Sequence, residues 1–363
     1  MTRAHNFCAG PCTLPESVLA ELGAEMLEFG DSGMSVVEMS HRSDEYEAIH
    51  HETLALLRSL FAVPDDVDVL LLQGGATLQF AMVPLNLLAG GGNGSYVVSG
   101  AWGRKAFADA ARVGRAHVAW DGASEGYRTM PGADEIAVEA DASYLHVTSN
   151  ETIEGVRHPE FGPLADLGHR LVADMSSDYL SREIDWEPFD VIYGGAQKNL
   201  GPAGLAVVFA RKSVVEAGPD DLPSYLSYRT HASSDSLANT PPVFSIWAMG
   251  KVLRWMEASG GVAAMEWRAA ERSGLVYDAI DGSGGYYRNP VDPEYRSHMN
   301  VVFRLPDEAS EQRFLAEATE RRFLNLKGHR SVGGIRASIY NALPTSSVEA
   351  LVSFMTDFAK RAG

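Results

Sequence analysis

Two hydrophobic textures succeed one another along this chain. Over PESVLAELGAEMLEF and again over DEYEAIHHETLALLRSLF apolar residues recur every three to four positions, which predicts two amphipathic helices, the second opened by Ser43 or Asp44 as N-cap. The pattern then shortens. VDVLLLQ is an apolar run of strand length, followed by the glycine turn and apolar helix of GGATLQFAMVPLNLLAG; GSYVVSG and AWGRKAFADAARVG repeat the sequence of strand, turn and helix. That recurrence predicts an α/β fold with a mainly parallel sheet and flanking helices. AHVAW, ASYLHVTS, RLVADMS, DVIYGGA and GLAVVFA supply further strands, bringing the sheet to about seven. From Pro242 onward the texture changes to two long helical stretches, FSIWAMGKVLRWMEAS and GGVAAMEWRAAERSGLVYDAI. The strand HMNVVFRL, the helix EASEQRFLAEATERR, the strand IRASIYN and the helix SVEALVSFMTDFAKRA complete a smaller α+β C-terminal domain. With no repeat or flexible linker between them, the two domains are expected to share an extensive interface.

Charge narrows the partners. Acidic residues outnumber basic ones by 48 to 30, a formal charge of −18, so nucleic acid and anionic membranes are repelled over most of the surface, and a small anionic ligand needs a local basic pocket. The start, MTRAHNFCAGPCTLPES, lacks the apolar core of a signal peptide and no later run has the length of a membrane span, so a cytoplasmic protein is expected. The two cysteines, Cys8 and Cys12, are too few for a four-cysteine zinc site; they read as packing residues, with a redox pair as the alternative. The eleven histidines show no metal-binding spacing, and no metal is expected.

The chemistry gathers where strands end, the place at which open α/β sheets bind ligands. The glycines of QGGATLQF let the backbone approach an anion at a helix N-terminus, or simply make a tight turn. GGGNG precedes its strand, the wrong order for a dinucleotide fingerprint, and no GxxxxGK[ST] occurs. Asp174 closes LVAD, Trp102 follows the strand in SGAW, and Lys198 stands among small residues in GGAQKNLGPAG. Singly these are a turn-former, a core aromatic and a surface lysine. Together they suit pyridoxal phosphate, whose aldehyde condenses with a lysine amine while a carboxylate keeps its pyridine nitrogen protonated. His329, Arg330 and Arg336, in GHRSVGGIRAS, and His41 with Arg42, in SHR, offer cations in short polar or glycine-bounded segments, suited to a phosphate and a carboxylate.

VADMSSDYLSREID, IYGGAQKNLGPAG, NTPPVFSIW and GHRSVGGIRASIYNA closely resemble the phosphoserine aminotransferase family, as do NFCAGPCTLPESVL, EMSHRSDEYEAIH, SGAWGRKA, SNETIEGV and RSHMNVVF. The resemblance spans essentially the whole chain and implies a fold-type I, class V aminotransferase acting as a homodimer. Within that frame the large cofactor-binding domain is expected over 16–257 and the small domain over 1–15 and 258–363. The resemblance implies that Lys198 holds the cofactor covalently, Asp174 meets its ring nitrogen, Trp102 stacks on the ring and Thr152 bonds its phenolic oxygen. It implies that Ala76, Thr77, Ser176 and Gln197 contact the cofactor phosphate, with Asn239 and Thr240 reaching it from the other subunit. Arg336 would take the substrate carboxylate, and His41, Arg42, His329 and Arg330 would surround the substrate phosphate. Cys8 and Cys12 replace smaller residues of the family's opening motif, and Ala76-Thr77 stands where some members carry an arginine. The implied reaction moves the amino group of glutamate to 3-phosphohydroxypyruvate, with a homologous phosphorylated oxo acid of pyridoxine synthesis as a further substrate. The rival readings are a class V enzyme with an unphosphorylated acceptor such as glyoxylate, a cysteine desulfurase, and a silent cofactor-binding protein. The GHR cluster speaks against the first, the N-terminal position of both cysteines against the second, and the full set of Lys198, Asp174 and arginines against the third.

Overall fold

A computed structural model describes residues 3–88 and 90–362. Positions 1, 2, 89 and 363, which fall in the expected domain ranges, lie outside the described residues. At the centre is a seven-stranded sheet made of β1 (Val67–Gln73), β2 (Asn93–Val98), β3 (Arg115–Asp121), β4 (Ala142–Thr148), β5 (Leu171–Asp174), β6 (Phe189–Gly195) and β7 (Leu205–Arg211). The spatial order is β1-β7-β6-β5-β4-β2-β3. β7 runs antiparallel to both its neighbours, and the other pairs are parallel. The two reversals cancel, so β1 points the same way as β2 to β6, and their carboxyl ends share one edge.

Period-two burial on both faces holds the sheet in place. Val69 and Leu71 enter one apolar cluster while Leu70 and Leu72, between and beside them, enter the other. Eight helices matter here: α1 (Glu16–Ala24), α2 (Asp44–Leu60), α3 (Gly75–Leu87), α4 (Ala101–Val113), α5 (Val243–Ala258), α6 (Gly261–Asp281), α7 (Glu308–Glu320) and α8 (Thr345–Ala362). Leu57 of α2 with Met249 and Leu253 of α5 cover the first face; Phe80 of α3 with Ala106 and Ala110 of α4 cover the second. Ser43 caps α2, its hydroxyl accepting from the Tyr46 N–H at 3.3 Å. The helix expected through Phe29 stops at Ala24. Beyond it Phe29 turns aside to meet Trp247 edge-on, ring centroids 6.2 Å apart, and Gly30 takes a left-handed φ of 55°. Burial of the aromatic outweighs another turn of helix.

A separate apolar core joins Val276, Phe314, Leu351 and Phe358 of α6 to α8 with β8 (Asn300–Phe303) and β9 (Ile335–Ser338), an antiparallel pair. Phe7 belongs to this core, because the strand His5–Asn6 pairs in parallel with Phe323–Leu324. We propose on this separation of cores that the domains divide as 16–257 against 1–15 and 258–363.

Candidate active site

Because β1 to β6 all end on one edge, residues distant in sequence meet there. A cavity of about 460 Å³ is lined by Ala76 and Thr77 after β1, Trp102 after β2, Asp174 at the end of β5, and Gln197 and Lys198 after β6. Lys198 is buried. Its Nζ donates to Thr152 Oγ1 at 2.9 Å and lies 5.8 Å from the centre of the Trp102 ring. Burial lowers the pKa of the amine, a shift partly opposed by Asp174 and Glu151. Asp174 is also buried, and burial raises its pKa; Lys198 opposes the shift, as does Ser176, which donates to Asp174 Oδ1 from its backbone N–H at 2.9 Å and its hydroxyl at 2.6 Å.

The cradle follows from local backbone. Gly74, at φ 89°, precedes α3, a left-handed position where glycine carries no steric cost. The first amides of α3, at Gly75, Ala76 and Thr77, have no acceptor within the helix and carry its positive dipole end, a site for an anion. Gly194 leaves room on β6: a methyl there would come 2.4 Å from the Tyr179 ring. Trp102 Nε1 and Gln197 Oε1 are buried without a hydrogen-bond partner among the described residues, which suits a ligand in the cavity. The residues therefore fit a flat, anionic cofactor that carries a carbonyl for the amine and a ring nitrogen for the carboxylate.

Ser176, expected at the cofactor phosphate, lines the same cavity. Its hydroxyl donates to Asp174 and accepts from the Gly195 N–H at 3.1 Å, so it holds the carboxylate from behind. Asn239 and Thr240 line no part of this chain's cavity; Thr240 O accepts from Asn239 Nδ2 at 3.0 Å and from Gln73 Nε2 at 2.7 Å.

A second cavity, about 240 Å³, is lined by Arg336, Glu154 and, from the GHRSVGG loop, Gly328 and Gly333. That loop is closed by Gly328 N–H donating to Gly334 O at 2.8 Å, and a methyl on Gly328 would sit 2.0 Å from Gly333 O. Arg336 reaches toward the lysine: its Nη1 lies 3.5 Å from Thr152 O, while its buried Nε has no partner among the described residues. His329 is held below the usual imidazole range by burial and then by Arg336 and Arg330, which puts the imidazole within electrostatic reach of both guanidiniums. Arg330 is exposed. His41 and Arg42 line neither cavity; they precede α2, with Arg42 exposed. Cys8 and Cys12 are free thiols, and Cys12 donates to Lys198 O. Burial pushes Cys12 up to about 12, so it stays a thiol and packs beneath the lysine.

Sequence reasoning missed Glu151 and Glu154. They flank Thr152 in SNETIEGV, and their carboxylates bond the N-terminal amides of α4. The available signal was a pair of acidic residues just past an apolar strand; Glu151 is buried and Glu154 half-buried there, where carboxyls are seldom found.

A family model described as aminotransferase class-V matches residues 4–351. The phosphoserine aminotransferase of Geobacillus kaustophilus (strain HTA426) is 51% identical over 361 residues, 99% of each chain. Among solved structures, the phosphoserine aminotransferase from Bacillus circulans subsp. alkalophilus superposes with a TM-score of 0.97 at 46% identity, covering 99% of each chain. A phosphoserine aminotransferase from Trichomonas vaginalis, described as bound to PLP, gives a TM-score of 0.92 at 37% identity, covering 97% of this chain and 99% of the other.

Proposed function

The chain belongs to the class-V aminotransferase family, and on that premise we propose that it is a phosphoserine aminotransferase. It transfers the amino group of L-glutamate to 3-phosphohydroxypyruvate, giving 2-oxoglutarate and O-phospho-L-serine. The observation that carries this reading is the buried Lys198 amine, bonded to Thr152 and facing Asp174 and Trp102, with Arg336 reaching the same threonine.

Pyridoxal phosphate, when bound, supplies the carbonyl that takes up the amino group and the ring that accepts the electron pair of the substrate Cα–H bond. The chain does the rest. Lys198 Nζ, its basicity lowered by burial, would carry the proton from the substrate Cα to the cofactor in the first half-reaction and in the reverse direction in the second, with Thr152 Oγ1 fixing its direction. Asp174, steadied by Ser176, offers a negative charge to the ring nitrogen, and the Trp102 face shields the reacting atoms from water. The amides of Gly75, Ala76 and Thr77, with Ser176 and Gln197, would hold the cofactor phosphate. Arg336 takes the α-carboxylate common to both substrates, and His329, Arg330, His41 and Arg42 serve the distal anionic group. At an effective dielectric of 20 each close ion pair is worth on the order of 4 kcal/mol before desolvation, enough to draw an anion to a protein of charge −18.

Three finer points belong to this proposal. The enzyme acts as a homodimer in which Asn239 and Thr240 complete the phosphate site of the other subunit. It also takes the homologous substrate related to 4-phosphohydroxythreonine. It works in the cytoplasm, which fits the absence of any described helix long and apolar enough to cross a membrane. The test is steady-state turnover with glutamate and 3-phosphohydroxypyruvate, coupled to borohydride reduction and peptide mapping. Turnover with the label on Lys198 is expected. A higher kcat/KM for glyoxylate, or a label elsewhere, overturns the reading.

A further inference from the structure

Helix α4 carries Trp102 as its second residue and begins after Gly100, which has no side chain with which to cap it. The cap comes from a segment fifty residues away. Glu151 Oε2 accepts from the Trp102 N–H at 3.0 Å and its Oε1 from the Gly103 N–H at 2.8 Å, while Glu154 Oε1 accepts from the Ala101 N–H at 3.1 Å. Two carboxyls thus satisfy three of the amides that a helix start leaves open. The glycine at position 100 is what admits them, since a methyl there would lie 2.6 Å from both Glu151 Cδ and Glu154 Oε2. Thr152, between the two glutamates, bonds Lys198 through its hydroxyl and Arg336 through its carbonyl. Gly155 ends the turn so close to β8 that a methyl on it would sit 2.9 Å from Asn300 O. One short turn therefore touches Trp102, Lys198, Arg336 and the small domain.

We propose that Glu151 is the positioning residue that fixes Trp102 over Lys198, acting through the first amides of α4, and that with Glu154 it forms a carboxyl clamp whose charge sets how firmly Trp102 is held. The inference rests on the cofactor reading above. Glu151 is completely buried, and burial raises both carboxyls well above the usual carboxylate range, with Glu154 raising Glu151 further. The charged groups around the clamp are Asp174 and Lys198 from the sheet edge and Arg336 from the small domain. Charged carboxylates are the stronger acceptors. The clamp is therefore tight above its raised titration range and loosens as pH falls through it.

Equilibrium binding of pyridoxal phosphate to the apoprotein, followed by absorbance across pH, tests this. Glu151→Gln keeps the shape and removes the charge. It should bind roughly ten- to a hundredfold more weakly than wild type at alkaline pH, the loss expected for a charge-assisted hydrogen bond, and the two curves should converge toward acid, well before the ordinary carboxylate pKa of about 4.3. Unchanged affinity at every pH overturns the proposal, and a loss that is parallel at every pH reduces Glu151 to a structural cap and overturns the clamp. Glu154→Gln removes only one amide contact and guards against misfolding of the first variant. It should bind only slightly less tightly, with the pH-dependent limb displaced to lower pH because Glu151 is no longer repelled; an unmoved limb overturns the proposal. Wild-type protein that fails to bind pyridoxal phosphate at all would refute the cofactor reading instead, so the two failures are distinct.

Discussion

Arg336 and Arg330 stand in one short segment, GHRSVGGIRAS, yet meet different surroundings. Arg336 is half-buried against Thr152 with its Nε unsatisfied, whereas Arg330 is exposed at the loop tip. Glutamate and 3-phosphohydroxypyruvate share the α-carboxylate and differ at the far end, where phosphate carries about two charges and carboxylate one. Arg336→Ala should then damage both half-reactions, and Arg330→Ala should harm the phosphorylated substrate more. Losing one charge-assisted hydrogen bond costs roughly 1.5 to 3 kcal/mol, about ten- to two-hundredfold in kcat/KM, read by single-turnover kinetics of each half-reaction. Equal losses for both substrates in Arg330→Ala would show the ends misassigned. Lys198, Asp174 and Trp102 were legible in the sequence because each follows an apolar strand, and strand ends are where parallel sheets present side chains. The link from Ser176 to Asp174 was not, since it depends on how two adjacent residues turn after β5. Glu151 was hidden for another reason: its partners are amides of a distant helix, which leave no pattern of their own.

Strand β4 shows what burial does to an element. His146 stacks on Tyr96 with ring centroids 4.9 Å apart, and its Nε2 lies 2.8 Å from the Tyr193 hydroxyl. Burial pushes its pKa down to about 3, as it does for His158. Both imidazoles are neutral in the fold, but in the unfolded chain they take up protons below about pH 6.5. Stability should therefore fall as pH drops from that value toward 3, by about 1.4 kcal/mol per pH unit for each histidine. Urea unfolding midpoints between about pH 6 and 4 would show it, and His146→Gln should remove one histidine's share of the slope. An unchanged slope in that variant would mean that His146 is protonated in the fold. The elements themselves were readable from apolar periodicity. The reversed direction of β7 was not, because the run GLAVVFA has the same character read either way, and only hydrogen bonding to β1 and β6 decides its sense. The end of α1 escaped for the opposite reason: its helical pattern continues through Phe29, and a distant tryptophan breaks it.

For the whole molecule, the placement of Asn239 and Thr240 outside their own cavity makes the proposed dimer testable. Inactive Lys198→Ala chains mixed with inactive Asn239→Ala/Thr240→Ala chains should regain activity, since one site of each mixed dimer has all its parts. A mixture that stays inactive while subunits demonstrably exchange would place every site within one chain. The change of texture near Pro242 came one helix before the division into two cores, since α5 just beyond it still packs on the sheet, and the crossing of the N-terminus into the second core was not legible in periodicity, because a two-residue strand carries none. That crossing bears on how the protein is made. Asn325 Nδ2 donates to Asn6 Oδ1 at 2.6 Å across 319 residues, and Phe7 is completely buried in the same core. On the ribosome His5–Asn6 emerge long before their partners Phe323–Leu324. The core on the sheet can close during synthesis, whereas the second core waits for Phe323, and until then Phe7 lacks its packing partners. Stalled nascent chains ending before Phe323 should therefore be cut by protease near the N-terminus, while full-length chains resist. In the finished protein, Phe7→Ala should cost about 3 to 5 kcal/mol in urea unfolding, the usual consequence of emptying a packed aromatic site.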